Sequence, residues 1–222
     1  MSEAITGLAA KFYGFASKRI SLIKDFHDAV ADEILGRISS GTVLDIGTGP
    51  GDLLEKVVLR NQHLRMVGLD ISRDMIKIAR KKTRQAGKEN LELLVGDAAE
   101  IGIIDESVDL VVATLSFHHW KNQAKAFDEL FRVLKPQGEV WIYELDSELT
   151  PQSEAWMKEN YKPIMRAVVR HAIRIVSGHS ITVEKAQEVL GDQKRRFAQV
   201  KVERLKPPLI KMTFAKNIHY AV

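Results

Sequence analysis

The stretch "TVLDIGTGPGDLL", residues 42 to 54, constrains this 222-residue chain more than any other. Val43, Leu44 and Ile46 read as a buried strand, and Leu53, Leu54, Val57 and Val58 recur at helical spacing. Gly47, Gly49 and Gly51 therefore occupy a strand-to-helix turn. Glycine tolerates positive φ and carries no Cβ, so a ligand can lie against the main chain there. The spacing G-x-G-x-G differs from the G-x-G-x-x-G of dinucleotide sites, and no Gly-Lys-Ser/Thr follows to hold a nucleoside triphosphate and its magnesium. Instead Asp45 sits inside the strand, where a buried carboxylate is costly unless a positive group meets it. The turn asks for a ligand that carries a cation and no phosphate.

Apolar runs at 42–47, 65–71, 91–96, 108–115 and 138–145 read as strands, alternating with helical patterns at 52–60, 72–86 and 121–135. That alternation predicts a parallel sheet covered on both faces. A helical segment over about 8–36 precedes the first strand. The stretch 150–190 breaks the rhythm with helical patterns split by "SGHS", and alternating residues at 199–205 and 209–217 close the chain as an antiparallel pair. Two further acids fall at strand ends. Asp70 ends "VGLD" and Asp97 follows "LLVG", so with Asp45 they define one crevice at the edge where open α/β sheets bind ligands. Asp70 is suited to accept from ribose hydroxyls, and Asp97 from an adenine amino group while the Ala98 N–H meets a ring nitrogen.

Composition narrows the class. With 45% hydrophobic and 28% charged residues the chain suits one globular domain, 1–222, with a helical segment at 1–38 and a helical insert at 150–190. It has no cysteine, hence no disulfide framework or thiolate nucleophile, and this suits a reducing cytoplasm. No signal-peptide pattern and no long apolar run stand out, so a soluble, unexported protein without a membrane span is expected. A net charge of +4 permits an anionic partner without requiring nucleic acid.

These residues resemble the class I S-adenosylmethionine-dependent methyltransferases: "VLDIGTGPG" is similar to their first motif, "VGLDIS" and "GDAAE" to their ribose- and adenine-binding acids, and "LFRVLKPQGEVWIYE" to their late helix, turn and fifth strand. S-Adenosylmethionine offers an ammonium and a sulfonium and no phosphate, as Asp45 requires. The resemblance implies a Rossmann-like seven-stranded, mostly parallel sheet in the order 3-2-1-4-5-7-6, with helices on both faces and the last strand antiparallel. It implies that Gly47, Gly49 and Gly51 shape the cofactor turn with Thr48. Asp45 would face the methionine ammonium through a water, Asp70 and Ile71 the ribose, and Asp97 and Ala98 the adenine. Met75 matches a residue that packs on the adenine, or is a core methionine; Tyr13 matches an aromatic that closes over the cofactor, or is packing; Leu115 borders the transfer site.

The fourth strand runs into "TLSFHHW", residues 114–120, where the chemistry is expected. Methyl transfer needs alignment and water exclusion, and a base only where the acceptor must lose a proton. His118 and His119 are the candidates. If the strand persists they point to opposite sides, and the resemblance favours His119 as the base. No metal is expected. "SFHHW" departs from the Asn/Asp-Pro-Pro-aromatic pattern of base-amino methyltransferases. The quinone-ring enzymes share "DIS..MI..AR" and differ in the glycine motif. In the insert, Lys158, Lys162, Arg166, Arg170 and Arg174 recur every four residues, which reads as a solvated face or, if the insert is a lid, as a contact for an anionic acceptor. The expected function is methylation of a small molecule. The alternatives are an RNA or protein methyltransferase docking through the basic lid, and a non-catalytic cofactor-binding partner or sensor.

Overall fold

The computed structural model describes residues 21–85, 89–176, 181–193 and 196–217. Helix α1, Ser21–Arg37, leads into β1, Gly41–Ile46; then follow α2 (Asp52–Arg60), β2 (Leu64–Asp70), α3 (Arg73–Lys82) and β3 (Leu91–Val95). After β4 (Val108–Thr114) come α4 (Gln123–Val133) and β5 (Leu134–Leu145), then α5 (Pro151–Asn160), α6 (Pro163–Val176), α7 (Val183–Gly191), β6 (Phe197–Arg204) and β7 (Leu209–Lys216). The strands form one seven-stranded sheet in the order β3-β2-β1-β4-β5-β7-β6. β1 to β5 pair in parallel, and β7 runs antiparallel to both β5 and β6.

Strand alternation splits the core into two layers. Leu44, Ile46, Val67, Leu69 and Val111 face Phe127 and Leu130 of α4 and Leu190 of α7. Val43, Met66, Leu110 and Val112 face the opposite way, onto Val30, Ala31 and Ile34 of α1 and Leu53, Leu54 and Val57 of α2. Because both faces are covered, the central strands read as near-continuous apolar runs, and a lone acid among them stands out. Helices α3, α4, α5 and α7 start on capping side chains: Ser72 Oγ accepts from Met75 N–H, Asn122 from Lys125 N–H, Thr150 from Ser153 N–H and Thr182 from Lys185 N–H. Each cap contributes about 1 kcal/mol.

Boundaries differ from the expected ones for local reasons. The third expected helix, 121–135, ends at Val133, because Pro136 disfavours helical backbone at Lys135. β5 consequently starts at Leu134, with a register shift against β4 between Val108 and Leu110. α3 gives way after Lys82 to a 3-10 turn, Thr83–Gln85, and the expected stop at Gly87 lies outside the described residues. β6 begins two residues earlier than the alternation suggests and carries a bulge between Ala198 and Lys201, with Gln199 at φ 54°.

The insert holds more structure than two helical patterns. Pro163 cannot continue α5, so the chain restarts with that proline in the first turn of α6. α7 belongs to the main fold, with Ala186 and Leu190 in the core under β6. α5 and α6 instead make their own small cluster, Met157 and Val169 with Trp156, Tyr161 and Met165 around them. Among the described residues no helix is long and apolar enough to cross a membrane.

Candidate functional site

The carboxyl ends of β1 to β5 come to one edge of the sheet, and the glycine turn sits at its centre. Gly47, Gly49 and Gly51 all have positive φ, at 73°, 54° and 79°. The requirement is most acute at Gly47, where a Cβ would lie 2.3 Å from the Cβ of Ser116. Backbone bonds fix the turn to β2: Gly47 N–H and Thr48 N–H both donate to Leu69 O, at 2.7 and 3.1 Å. Gly51 serves as the N-cap residue of α2 without a side chain, and its carbonyl accepts from Glu55 N–H.

The acids behave differently from one another. Asp70, the last residue of β2, accepts from Gly49 N–H through Oδ2 and from Ser72 N–H through Oδ1, each at 2.8 Å. One carboxylate thus ties the glycine turn to the start of α3, and its remaining lone pairs can still accept hydroxyl protons. Burial raises its pKa, and the two backbone N–H groups oppose that shift. Asp45 is 1% exposed. Its Oδ2 accepts from Thr48 Oγ1 at 2.6 Å, while among the described residues Oδ1, equally buried, has no partner. Burial above all, with help from the Asp70 charge and against the Thr48 bond, pushes its pKa up to about 7. A buried carboxylate oxygen without a donor is what an incoming cation or its water would satisfy. Asp97 Oδ1 accepts from Ala99 N–H at 2.9 Å, and Ala98 is buried beside it.

The end of β4 is not an extended strand. The strand stops at Thr114, Leu115 takes φ 52°, and Phe117–His119 form a 3-10 turn. The expected opposition of the two histidines across a strand therefore does not arise; their ring centroids lie 4.0 Å apart, tilted by 47°. Three contacts hold the turn. Leu115 N–H donates to Tyr143 O at 2.8 Å, Ser116 Oγ donates to Ile46 O at 2.7 Å, and His118 Nδ1 meets Glu144 Oε2 at 2.8 Å. The same Oε2 accepts from His118 N–H at 3.2 Å, and Oε1 accepts from Leu145 N–H at 3.0 Å. Glu144 is 0% exposed and the His118 side chain 6%, whereas His119 is exposed.

Ser116 and Glu144 were not among the residues singled out from sequence. Glu144 carried the signal that exposed Asp45, a single acid inside a buried strand run, here "WIYEL". Ser116 had no such signal, since its contact with Gly47 joins positions far apart in the chain. Met75 is buried in α3, Ile71 is largely exposed, and Tyr13 lies outside the described residues. The basic series of the insert is divided between α5, the α5–α6 link and α6. Arg170 pairs with Glu154 of α5, Lys158 and Lys162 are exposed, Arg166 is half-buried, and the side chain of Arg174 lies outside the described ones.

A family profile described as a methyltransferase domain matches residues 38–203. The chain is 29% identical over 146 residues to demethylmenaquinone methyltransferase of Thermotoga maritima, covering 66% of this chain and 60% of that protein. It is 30% identical over 151 residues to a malonyl-[acyl-carrier protein] O-methyltransferase of Marinomonas, covering 66% of this chain and 55% of that protein. The chain thus matches about three fifths of the length of these relatives. Among solved structures, a Methanococcus maripaludis chain assigned as an S-adenosyl-L-methionine-dependent methyltransferase superposes over 100% of both chains with a TM-score of 0.74 and 26% identity. Phosphoethanolamine N-methyltransferase 2 of Haemonchus contortus, in complex with S-adenosylhomocysteine, shares the fold at a TM-score of 0.59 and 22% identity, over 81% of this chain and 39% of that one.

Proposed function

The chain belongs to the class I S-adenosylmethionine-dependent methyltransferases, and from that premise we propose that it transfers the methyl group of S-adenosylmethionine to a small-molecule acceptor. The observation that carries the reading is the pairing of a glycine turn with Asp70 and with the buried oxygen of Asp45 that has no partner among the described residues. In it, Gly47 to Gly51 and Thr48 form the turn under the cofactor, Asp45 faces its ammonium, Asp70 and Ile71 its ribose, and Asp97, Ala98 and Met75 its adenine. Leu115 borders the reacting end. When bound, the cofactor supplies a methyl group on a sulfonium, a leaving group good enough that the protein's main task is alignment and water exclusion. α5 and α6, with a core of their own, form the lid over the acceptor, and their basic residues suit an anionic one. A cytoplasmic setting is part of the proposal, in keeping with a chain that has no cysteine.

The test is radiolabel transfer from methyl-tritiated S-adenosylmethionine to two probes suggested by the relatives' names, a short-chain 1,4-naphthoquinol and a malonyl thioester. Labelled product from either supports the reading. Cofactor binding with no transfer to these or to a broad acceptor panel would make the chain a binding protein instead.

Two results follow from the acids. Asp70→Ala removes the acceptor for ribose and leaves Gly49 and Ser72 N–H unmet, so cofactor affinity is expected to fall by about 1.5–3 kcal/mol, read by calorimetry. An unchanged affinity would move the ribose elsewhere. Asp45, with its pKa pushed up to about 7, binds a proton in the ligand-free protein that an arriving ammonium must displace. Binding at pH 6 is therefore expected to release close to one proton and to weaken about tenfold per unit below pH 7. The folding signature has the opposite sense. With the folded pKa above the unfolded one, Asp45's own contribution to the stability of the ligand-free protein is fully present below the ordinary aspartate range and is lost as pH rises through about 7. Titrations in buffers of different ionisation heat measure the release, and Asp45→Asn should abolish it.

A further inference from the structure

We propose that Glu144 is a positioning residue that holds His118 as the base of the reaction, with Nδ1 carrying the proton and Nε2 free to accept one. The inference rests on the methyl-transfer reading and adds to it a residue and a division of roles. Glu144 lies next to the end of β5, fully buried, and no lysine or arginine pairs with it among its contacts. A carboxylate in that position is costly, and apolar residues would hold a turn at lower cost. What it does there is accept from His118 N–H through Oε2 and from Leu145 N–H through Oε1, with Oε2 also 2.8 Å from His118 Nδ1. An ionised carboxylate has no proton to donate, so on this proposal the ring nitrogen beside Oε2 is the donor, and that fixes the tautomer. The other ring nitrogen is left with its lone pair.

A carboxylate behind Nδ1 does two things for a histidine base: it keeps the ring in the productive tautomer and orientation, and it stabilises the imidazolium that forms. The acceptor's proton passes to Nε2 as the acceptor's electron pair closes on the methyl carbon. The carbon–sulfur pair stays on sulfur, and the imidazolium later gives its proton to solvent. His119, which the sequence resemblance favoured as the base, is exposed. It lies against the face of His118 on the exposed side, and its role is to wall the acceptor. The turn that carries both is anchored to β1 by Ser116 and to β5 by Leu115, so the ring is held against the edge that bears the glycine turn.

Glu144→Gln tests this with little change of shape. An amide cannot accept at both of its ends. Its oxygen, turned to His118, leaves its NH2 against Leu145 N–H, and the neutral amide no longer stabilises an imidazolium. The full chain, labelled with 15N-histidine and assigned with His118→Asn, should show the Nδ1–H tautomer at His118. With whichever of the naphthoquinol and malonyl thioester probes is methylated, Glu144→Gln should lower kcat by about 10²-fold or more and leave KM within about threefold. An Nε2–H tautomer at His118 in the unaltered chain overturns the proposal. So does an unchanged kcat in a folded Glu144→Gln, or in His118→Asn should the glutamine variant fail to fold. If neither probe nor a broad acceptor panel is methylated, the methyl-transfer reading fails, and the tautomer of the unaltered chain still decides the role of Glu144.

Discussion

Replacing Gly47 by alanine is expected to destabilise the protein by about 2–5 kcal/mol and to abolish measurable cofactor binding. Two costs add. At φ 73° an L-residue sits in the left-handed region, worth about 1–2 kcal/mol. The new Cβ would also lie 2.3 Å from Ser116 Cβ and 2.6 Å from its Oγ, and overpacking of this kind costs about 1–3 kcal/mol. Ser116 cannot easily move away, because its hydroxyl donates to Ile46 O at the end of β1. Urea denaturation of Gly47→Ala, Ser116→Gly and the double variant separates the two: the steric share should be recovered in the double variant and the backbone share should not. Gly36→Ala is the contrasting case, since a Cβ there meets nothing within 4 Å inside a helix. It should stabilise by about 0.5–1 kcal/mol. A Gly47→Ala protein as stable as the parent would mean that the turn does not hold the conformation described.

His118→Asn is expected to lower kcat by about 10²–10⁴-fold, equivalent to about 2.7–5.5 kcal/mol of transition-state stabilisation, with cofactor affinity nearly unchanged. His119→Asn should instead act mainly on the KM of the acceptor. Separation of kcat from KM on a methylated probe distinguishes them, because a group that acts only in the transition state lowers kcat, and one that lines the acceptor raises KM. If His119→Asn carries the kcat loss, the exposed ring is the base. If neither matters, the acceptor arrives already deprotonated and the turn serves alignment alone.

Most of the sheet was legible in the sequence because its central strands are buried on both faces and announce themselves as apolar runs, and its last pair as alternation. Asp45, Asp70 and Asp97 could be placed at one edge without coordinates, since in a parallel sheet every strand's carboxyl end comes to the same side. What could not be read are the contacts between distant segments. Ser116 beneath Gly47, and Glu144 behind His118, depend on how β4 and β5 align and on where β4 stops. The strand's end at Thr114 is a case in point. Alternation extrapolated through 114–120 sends the histidines apart, whereas the left-handed Leu115 turns the chain into a 3-10 coil and brings their rings together. The boundary at Val133 was recoverable from Pro136 alone, by the rule for the residue before a proline. The insert needed the structure. Its helices share a spacing of basic residues, and only packing shows that α7 joins the main core while α5 and α6 pair with each other.

Calorimetric titration of the full chain with S-adenosylhomocysteine, beside the same titration with NAD, tests the central claim most directly. The glycine turn, Asp70 and the unmet oxygen of Asp45 predict one saturable site for S-adenosylhomocysteine, weakened in Asp70→Ala, and no heat of binding from NAD. Saturable binding of NAD with none of S-adenosylhomocysteine would contradict the account.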